Sequence, residues 1–126
     1  MNVFHRAAQI WAVLALAAEN RQVLIYKIVS RLTGVPRVGL GKCLEPIQSY
    51  CLLHGLPPLT ILVVGEYTGM PGVGFIAAQD IPKSQQEVFK HDWLAHGSPS
   101  PADLEAAAQA RPSNGVIQIP EDEETA

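Results

Sequence analysis

Histidine and cysteine are the residues of this 126-residue chain whose types and spacing could build a metal site. Cys51 and His54 are three residues apart, so on a helix they would share one face and could supply two ligands. A second candidate pair, His91 and His96, is five residues apart, and residues at that spacing do not lie on one face of a helix. Because no second pair completes a tetrahedron, we expect no metal and no other cofactor.

Catalytic side chains do not come together in the sequence either. His91 and Asp92 are adjacent, and adjacent helical residues point about 100° apart, which is unsuited to a general-base pair. Cys43 lies close to Arg37 and Lys42 in sequence, and these cations could lower the pKa of its thiol and make it reactive. The alternative is a buried, unreactive thiol. We predict no catalytic residues and a protein that is not an enzyme.

Charge is distributed unevenly along the chain, although the net charge is only −3. Residues 1–75 hold six lysines or arginines and three acidic residues. Residues 76–126 hold three lysines or arginines and nine acidic residues. A basic N-terminal part favours contact with nucleic acid. The acidic C-terminal part is either an ordinary solvated tail or a shield for the basic part.

The compartment is predicted from two further features of the sequence. No apolar run approaches the roughly 20 residues that span a bilayer, so no contact with a membrane is expected. Cys43 and Cys51 are eight residues apart on one predicted helix, a separation of roughly 12 Å that is too long for a disulfide. Free thiols are typical of the cytoplasm, which is where we expect the protein.

The spacing of apolar residues predicts the helices that must position these side chains. Residues 3–18 carry an apolar stripe at i, i+3 and i+4 spacing that includes Trp11, with Asn2 as the N-cap. A second helix is predicted from Gln22 to Leu32 and is ended by Gly34. Its inward-facing residues are predicted to be Leu24, Ile25, Ile28, Val29 and Leu32. A third helix follows from Pro36 to Gly55, and Pro46 is expected to kink or divide it.

A β-hairpin is predicted after the third helix. Two prolines stop the helix, and "LTILVV" (59–64), which is rich in β-branched residues, is predicted to be the first strand. "VGFIAA" (73–78) is predicted to be the second strand, and a glycine-bearing loop joins the two. One helix is then predicted over "PKSQQEVFKHDWLAH" (82–96), and a short one over 101–110 with Ser100 as N-cap. "VIQI" (116–119) is a candidate edge strand, and the last seven residues are expected to be disordered.

The stretches "YKIVSRLTGVPRVGLGKCL" and "LPPLTILVVGEYTGMPGVGF" together resemble the C-terminal DNA-binding part of the alkylguanine-DNA alkyltransferases and of their non-enzymatic alkyltransferase-like relatives. Glycines and prolines of the turn and of the wing fall in the family's order over about 50 residues. The family's "PCHR" nucleophile motif is absent, because the corresponding place reads "LPPLTILVV". The resemblance therefore implies a binder without alkyl transfer.

The fold class that follows is α+β: a mainly helical winged helix-turn-helix with a β-hairpin wing and extra C-terminal helices. Its domains are a winged-helix-like domain with an appended helix over residues 1–97, and a short helix with an acidic, partly disordered tail over residues 98–126. In such a fold the third helix enters a major groove and the hairpin contacts the flanking backbone.

By this analogy five residues would contact nucleic acid: Tyr26, Arg31, Arg37, Lys42 and Tyr67. For Tyr26 the alternative is a place in the core, and for Arg37 and Lys42 it is ordinary solvated charge. The function expected is that of a small, non-enzymatic, regulatory or damage-recognising protein that binds double-stranded DNA. The alternative function is a protein–protein interaction module, with a protein partner or a second copy of the chain contacting the hairpin (Tyr67, Met70 and Phe75) and the acidic tail.

Overall fold

The structure is a computed structural model that describes residues 2–71 and 80–112. Within those residues the chain forms six α-helices, one 3-10 helix and two very short strands. In chain order these are α1 (Val3–Glu19), β1 (Leu24–Ile25), α2 (Tyr26–Thr33), α3 (Arg37–His54), the 3-10 helix (Leu59–Leu62), β2 (Val63–Val64), α4 (Ile81–Lys90), α5 (Trp93–His96) and α6 (Pro101–Ala110).

Local capping signals set the ends of several helices. The Asn2 side chain accepts hydrogen bonds from the backbone N–H groups of Phe4 and His5, at 3.1 and 3.0 Å, and so begins α1 as predicted. Ser100 and Asp103 cap each other's backbone N–H at 3.1 and 3.0 Å, and this reciprocal pair begins α6. Gly34 ends α2 in the left-handed conformation, with φ of +77°.

The core is built around the tryptophan of α1. The Trp11 ring is fully buried and meets the rings of Tyr50 from α3 and Trp93 from α5 edge to face, with centroid distances of 5.3 and 5.6 Å. Leu104 and Ala107 of α6 belong to the same buried cluster. The boundary predicted between residues 97 and 98 therefore separates α6 from helices with which it shares a core.

The two strands pair in parallel, with Leu24 opposite Val63 and Ile25 opposite Val64. The described residues are thus mainly helical with a small two-stranded parallel sheet, which confirms the coarse α+β class. The prediction that residues 59–64 form one strand was wrong, because the first four form the 3-10 helix. The returning strand predicted over residues 73–78 lies outside the described residues.

The predicted second helix also needs correction. It begins at Tyr26 and not at Gln22, because the residues before Tyr26 pair with β2. Of its predicted inward-facing residues, Val29 is fully buried, but Ile28 and Leu32 are 39% and 62% exposed. Part of the apolar surface of α2 therefore faces away from the core.

Two further helices differ from their predictions. Pro46 does not divide α3, which continues unbroken to His54 and ends at Gly55. The helix predicted over 82–96 is two helices, because the chain leaves the helical conformation at His91 and Asp92. The candidate edge strand at 116–119 and the last seven residues lie outside the described residues. No helix within 2–71 and 80–112 combines the length and the apolar character needed to cross a membrane.

Candidate nucleic-acid interface

The turn between α2 and α3 is held by hydrogen bonds from side chains to the backbone. The Ser30 hydroxyl donates to the carbonyl of Val35 at 2.6 Å. From α1, the Arg6 guanidinium donates to the carbonyl of Thr33 at 2.8 Å. The C-terminal end of α2 is thereby fixed to α1 and to Val35 in the turn, which has only three residues between the two helices.

The first two turns of α3 present a narrow accessible stripe. Val38 is 79% exposed, Lys42 is exposed, and Glu45 is half-buried. These three residues lie at i, i+4 and i+7 and so share one face of the helix. Arg37 is half-buried and lies off this stripe, since it is five residues before Lys42.

The second half of α3 is covered on most sides by α1 and α6. Its buried residues include Pro46, Ile47, Gln48, Ser49, Tyr50 and Cys51. The helix is therefore accessible at its N-terminal part and at its last turn, where Leu53 and His54 are exposed, and is closed to a macromolecule between them.

Basic residues are concentrated around the α2–α3 turn. Residues 21–45 hold five lysines or arginines and a single acid, Glu45. Arg31 is exposed in the last turn of α2, and Lys27 is half-buried one turn before it. Arg31 lies in the last turn of α2, and Arg37 and Lys42 lie in the first two turns of α3, so the three flank the α2–α3 turn along the chain.

Tyr67 lies on a closed turn that follows β2. The backbone N–H of Gly65 donates to the carbonyl of Met70, and that of Gly69 donates to the carbonyl of Gly65, both at 2.9 Å. Tyr67 is 74% exposed. Because β1 and β2 are parallel, this turn leaves the sheet at the same edge from which α2 begins.

Tyr26 has a different position from the other four residues. It is the first residue of α2, and its side chain is fully buried. Of the two alternatives for Tyr26, a contact with nucleic acid or a place in the core, the structure therefore has the second. Its ring is therefore not part of the accessible surface in this conformation.

Neither cysteine has the features of a nucleophile. Of the two alternatives for Cys43, the structure has the buried thiol: burial raises the pKa of this thiol, and the charge of Arg6 offsets the rise only in part. Burial raises the pKa of Cys51 to about 12. Both cysteines are free and buried. Cys51 is buried, whereas His54 is exposed and its ring packs on Tyr50.

A cluster of aromatic and imidazole side chains was not foreseen from the sequence. The Tyr50 hydroxyl lies 2.9 Å from Nε2 of His96, and the His54 ring packs on Tyr50 with centroids 4.2 Å apart. Tyr50 and His54, with Asp103 of α6, line a cleft of about 390 Å³. Burial raises the pKa of Tyr50, with smaller contributions from Asp103 and Cys51, so its hydroxyl stays protonated at neutral pH and can donate to or accept from His96 according to the tautomer of that ring. The only signal in the sequence was helical spacing, which does not reveal a contact between α3 and α5.

An apolar surface on α1 and α2 was also missed. Leu16 is 61% exposed and Leu32 is 62% exposed. Together with Val13 and Leu24 they line a shallow recess of about 230 Å³ between α1, β1 and α2. Exposed apolar residues that cluster in this way are typical of a contact surface for another protein.

No protein-family model, no curated protein and no solved structure matches the chain. In the part of the chain that the structure describes, no three histidine, cysteine, aspartate or glutamate side chains are grouped so as to hold a metal ion. The geometry of the described residues is therefore the basis for any functional assignment.

Proposed function

We propose that this chain is a small, non-enzymatic protein of winged-helix type that binds double-stranded DNA through the N-terminal part of α3 and the adjoining end of α2. The observation that carries the proposal is the exposure of Val38 and Lys42 in the first two turns of α3 and of Arg31 in the last turn of α2, on either side of a turn that is fixed by hydrogen bonds. A rigid pair of helices with an accessible, basic end is what entry into a major groove requires.

Burial of the second half of α3 is compatible with this proposal. In helix-turn-helix proteins it is the N-terminal residues of the second helix that contact base edges, while the rest of that helix packs on the domain. Lys42 and Arg31 would contact phosphates, and Val38 would contact an apolar base edge such as a thymine methyl group. Exposed Tyr67, on the turn after β2, would contact the backbone beyond the groove.

Two other observations support the same proposal. The five bases against one acid in residues 21–45 supply the electrostatic attraction that DNA binding needs. Both cysteines are free thiols, as expected of a protein in the reducing cytoplasm where it would meet DNA.

The test is a salt titration of binding to a labelled duplex, followed by fluorescence anisotropy. Each phosphate contact changes the slope of log K against log salt concentration by about −0.9. We expect Lys42→Ala and Arg31→Ala each to weaken binding and to make the slope shallower by about 0.9, because each removes one phosphate contact. Lys90→Ala is the matched control, since Lys90 is an exposed lysine on α4 and should leave the slope unchanged.

The proposal is wrong if the full chain shows no salt-dependent binding to duplex DNA. It is also wrong if the Lys42, Arg31 and Lys90 variants lose the same amount of affinity, because binding would then reflect net charge and not this surface.

A protein-interaction module is the second candidate function, and the exposed apolar surface of Leu16 and Leu32 favours it. Its partner would be another protein or a second copy of the chain. Analytical ultracentrifugation of the chain and of Leu16→Glu tests the homodimer. We expect this substitution to dissociate a dimer that uses the surface, whereas Leu94→Glu, at an equally exposed leucine on α5, should not. A chain that stays monomeric at all concentrations contradicts the homodimer.

A further inference from the structure

A second recess of the molecule lies beside the proposed DNA-contacting lysine. It is a groove of about 270 Å³ between the first turn of α1, the middle of α3 and the end of α6. Phe4, Pro46 and Ala108 contribute to its apolar lining, and Lys42 stands on its rim. Lys42 therefore belongs both to this groove and to the accessible stripe of α3.

The chain leaves the described part of the structure at this groove, because Pro112 is itself one of its lining residues. The sequence that follows holds three β-branched apolar residues within four positions, Val116, Ile117 and Ile119, and then four consecutive acids over 121–124. Four residues of extended chain reach about 14 Å, so Val116 can return to any part of a groove that begins at Pro112.

The composition of residues 113–126 matches the apolar lining of the groove and the lysine beside it. The apolar residues at 116–119 match the lining formed by Phe4, Pro46 and Ala108, and the acids that follow match the ammonium of Lys42. Glu45, the acid on the rim, lies one helical turn beyond Lys42 towards the buried half of α3, away from the proposed DNA-contacting end.

We infer that the chain's own segment 113–126 docks in this groove and lowers the affinity for DNA, with the apolar residues 116–119 in the groove and the acids 121–124 against Lys42. The docking itself is independent of the proposed function, whereas its effect on DNA affinity rests on it. The occupant is intramolecular, so no second component is needed.

Docking should change amide exchange and DNA affinity by the same factor, because both depend on the fraction of molecules in which the groove is occupied. If the segment occupies the groove for about four-fifths of the time, only one-fifth of the molecules present a free Lys42. Amide exchange in residues 114–119 would then be slowed about five-fold relative to an undocked segment, and DNA affinity would be lowered by about the same factor. Two assays that measure different properties should thus return the same value.

Hydrogen–deuterium exchange of the full chain, followed by mass spectrometry, tests the docking. Ala108→Glu places a long acidic side chain in the groove, and we expect it to speed exchange in residues 114–119 about five-fold. Ala102→Glu is the matched control: it lies on the same helix, is exposed, lines none of the three recesses described above, and should exchange as the parent chain does. Ile117→Asp is the second variant; it removes an apolar contact from the docking segment without altering the described residues.

Anisotropy of the same variants with a labelled duplex tests the effect on DNA binding. Ala108→Glu and Ile117→Asp should bind about five-fold more tightly than Ala102→Glu, although all three carry one more negative charge than the parent chain. A gain below two-fold would overturn the effect on DNA binding.

Equal exchange rates in all the variants and in the parent chain would overturn the docking, whatever the DNA assay gives. Slowed exchange in a chain that binds no duplex would support the docking and refute the proposed function. The exchange and anisotropy results therefore distinguish a failure of the docking from a failure of the proposed DNA binding.

Discussion

Replacement of Leu104 by alanine tests whether α6 is part of the core that positions α3. Leu104 is fully buried within the cluster that also contains residues of α1, α3 and α5. The change removes three carbon atoms, worth about 2.4 kcal/mol at about 0.8 kcal/mol for each, and the cavity that remains adds to this. We expect the free energy of unfolding to fall by about 3 kcal/mol.

Urea denaturation followed by tryptophan fluorescence measures this change, because Trp11 and Trp93 both lie in the same cluster. A single cooperative transition with a lower midpoint is expected for Leu104→Ala. Leu94→Ala, at a leucine that is 67% exposed, is the matched control and should alter stability by no more than about 0.5 kcal/mol. A loss below about 1 kcal/mol, or a separate early transition for α6, would refute the single shared core.

Three further predictions concern the backbone, a titrating group and the thiols. Gly34→Ala should lower the free energy of unfolding by about 1 kcal/mol because φ is +77° there, whereas Gly39→Ala, inside α3, should raise it by about 0.5 kcal/mol; equal signs in urea denaturation would contradict this. Hydrogen bonds from Ser100 hold the pKa of Asp103 below its ordinary value, so its carboxylate stabilises the fold above about pH 4 and that stabilisation is lost as the pH falls through the lowered pKa. Asp103→Asn should therefore lower Tm at pH 7 with a difference that shrinks below pH 4, and a difference that grows in acid would be inconsistent with it. Cys43 and Cys51 should not react with a disulfide reagent at pH 8 until urea unfolds the chain, because burial raises the pKa of both; rapid reaction of the native protein would show that one is accessible.

Local signals in the sequence predicted the ends of helices well. Asn2 and Ser100 were expected to cap α1 and α6, and both do so. Gly34 and Gly55 were expected to end α2 and α3, and both adopt the left-handed conformation there. These features depend on residues within one turn of one another, so a single sequence contains what is needed to find them.

Long-range contacts account for what the sequence did not predict. The start of α2 was misplaced because Leu24 and Ile25 pair with strand residues almost 40 positions away. Residues 59–62 were assigned to a strand because they are apolar and partly β-branched, but all four are buried and an alternating pattern is absent. The Tyr50–His96 hydrogen bond and the shared core of α6 likewise join distant parts of the chain.

The candidate site was predicted in part. Arg31, Lys42 and Tyr67 were chosen from the sequence, and all three are exposed. Tyr26, for which a core position was the alternative, is fully buried, and Val38, which was not singled out from the sequence, is 79% exposed. An exposed valine in the first turn of a helix has no signal in a single sequence, because apolar residues are normally assigned to the core.

Hydroxyl-radical footprinting of the full chain, with and without a duplex, tests the proposed surface most directly. Val38, Tyr67, Leu16 and Leu94 are all strongly exposed and can be labelled, and they lie on α3, on the turn after β2, on α1 and on α5 respectively. We expect duplex DNA to protect Val38 and Tyr67 while Leu16 and Leu94 remain fully reactive. Protection that is absent at Val38, or confined to Leu16, would contradict DNA binding through the N-terminal part of α3.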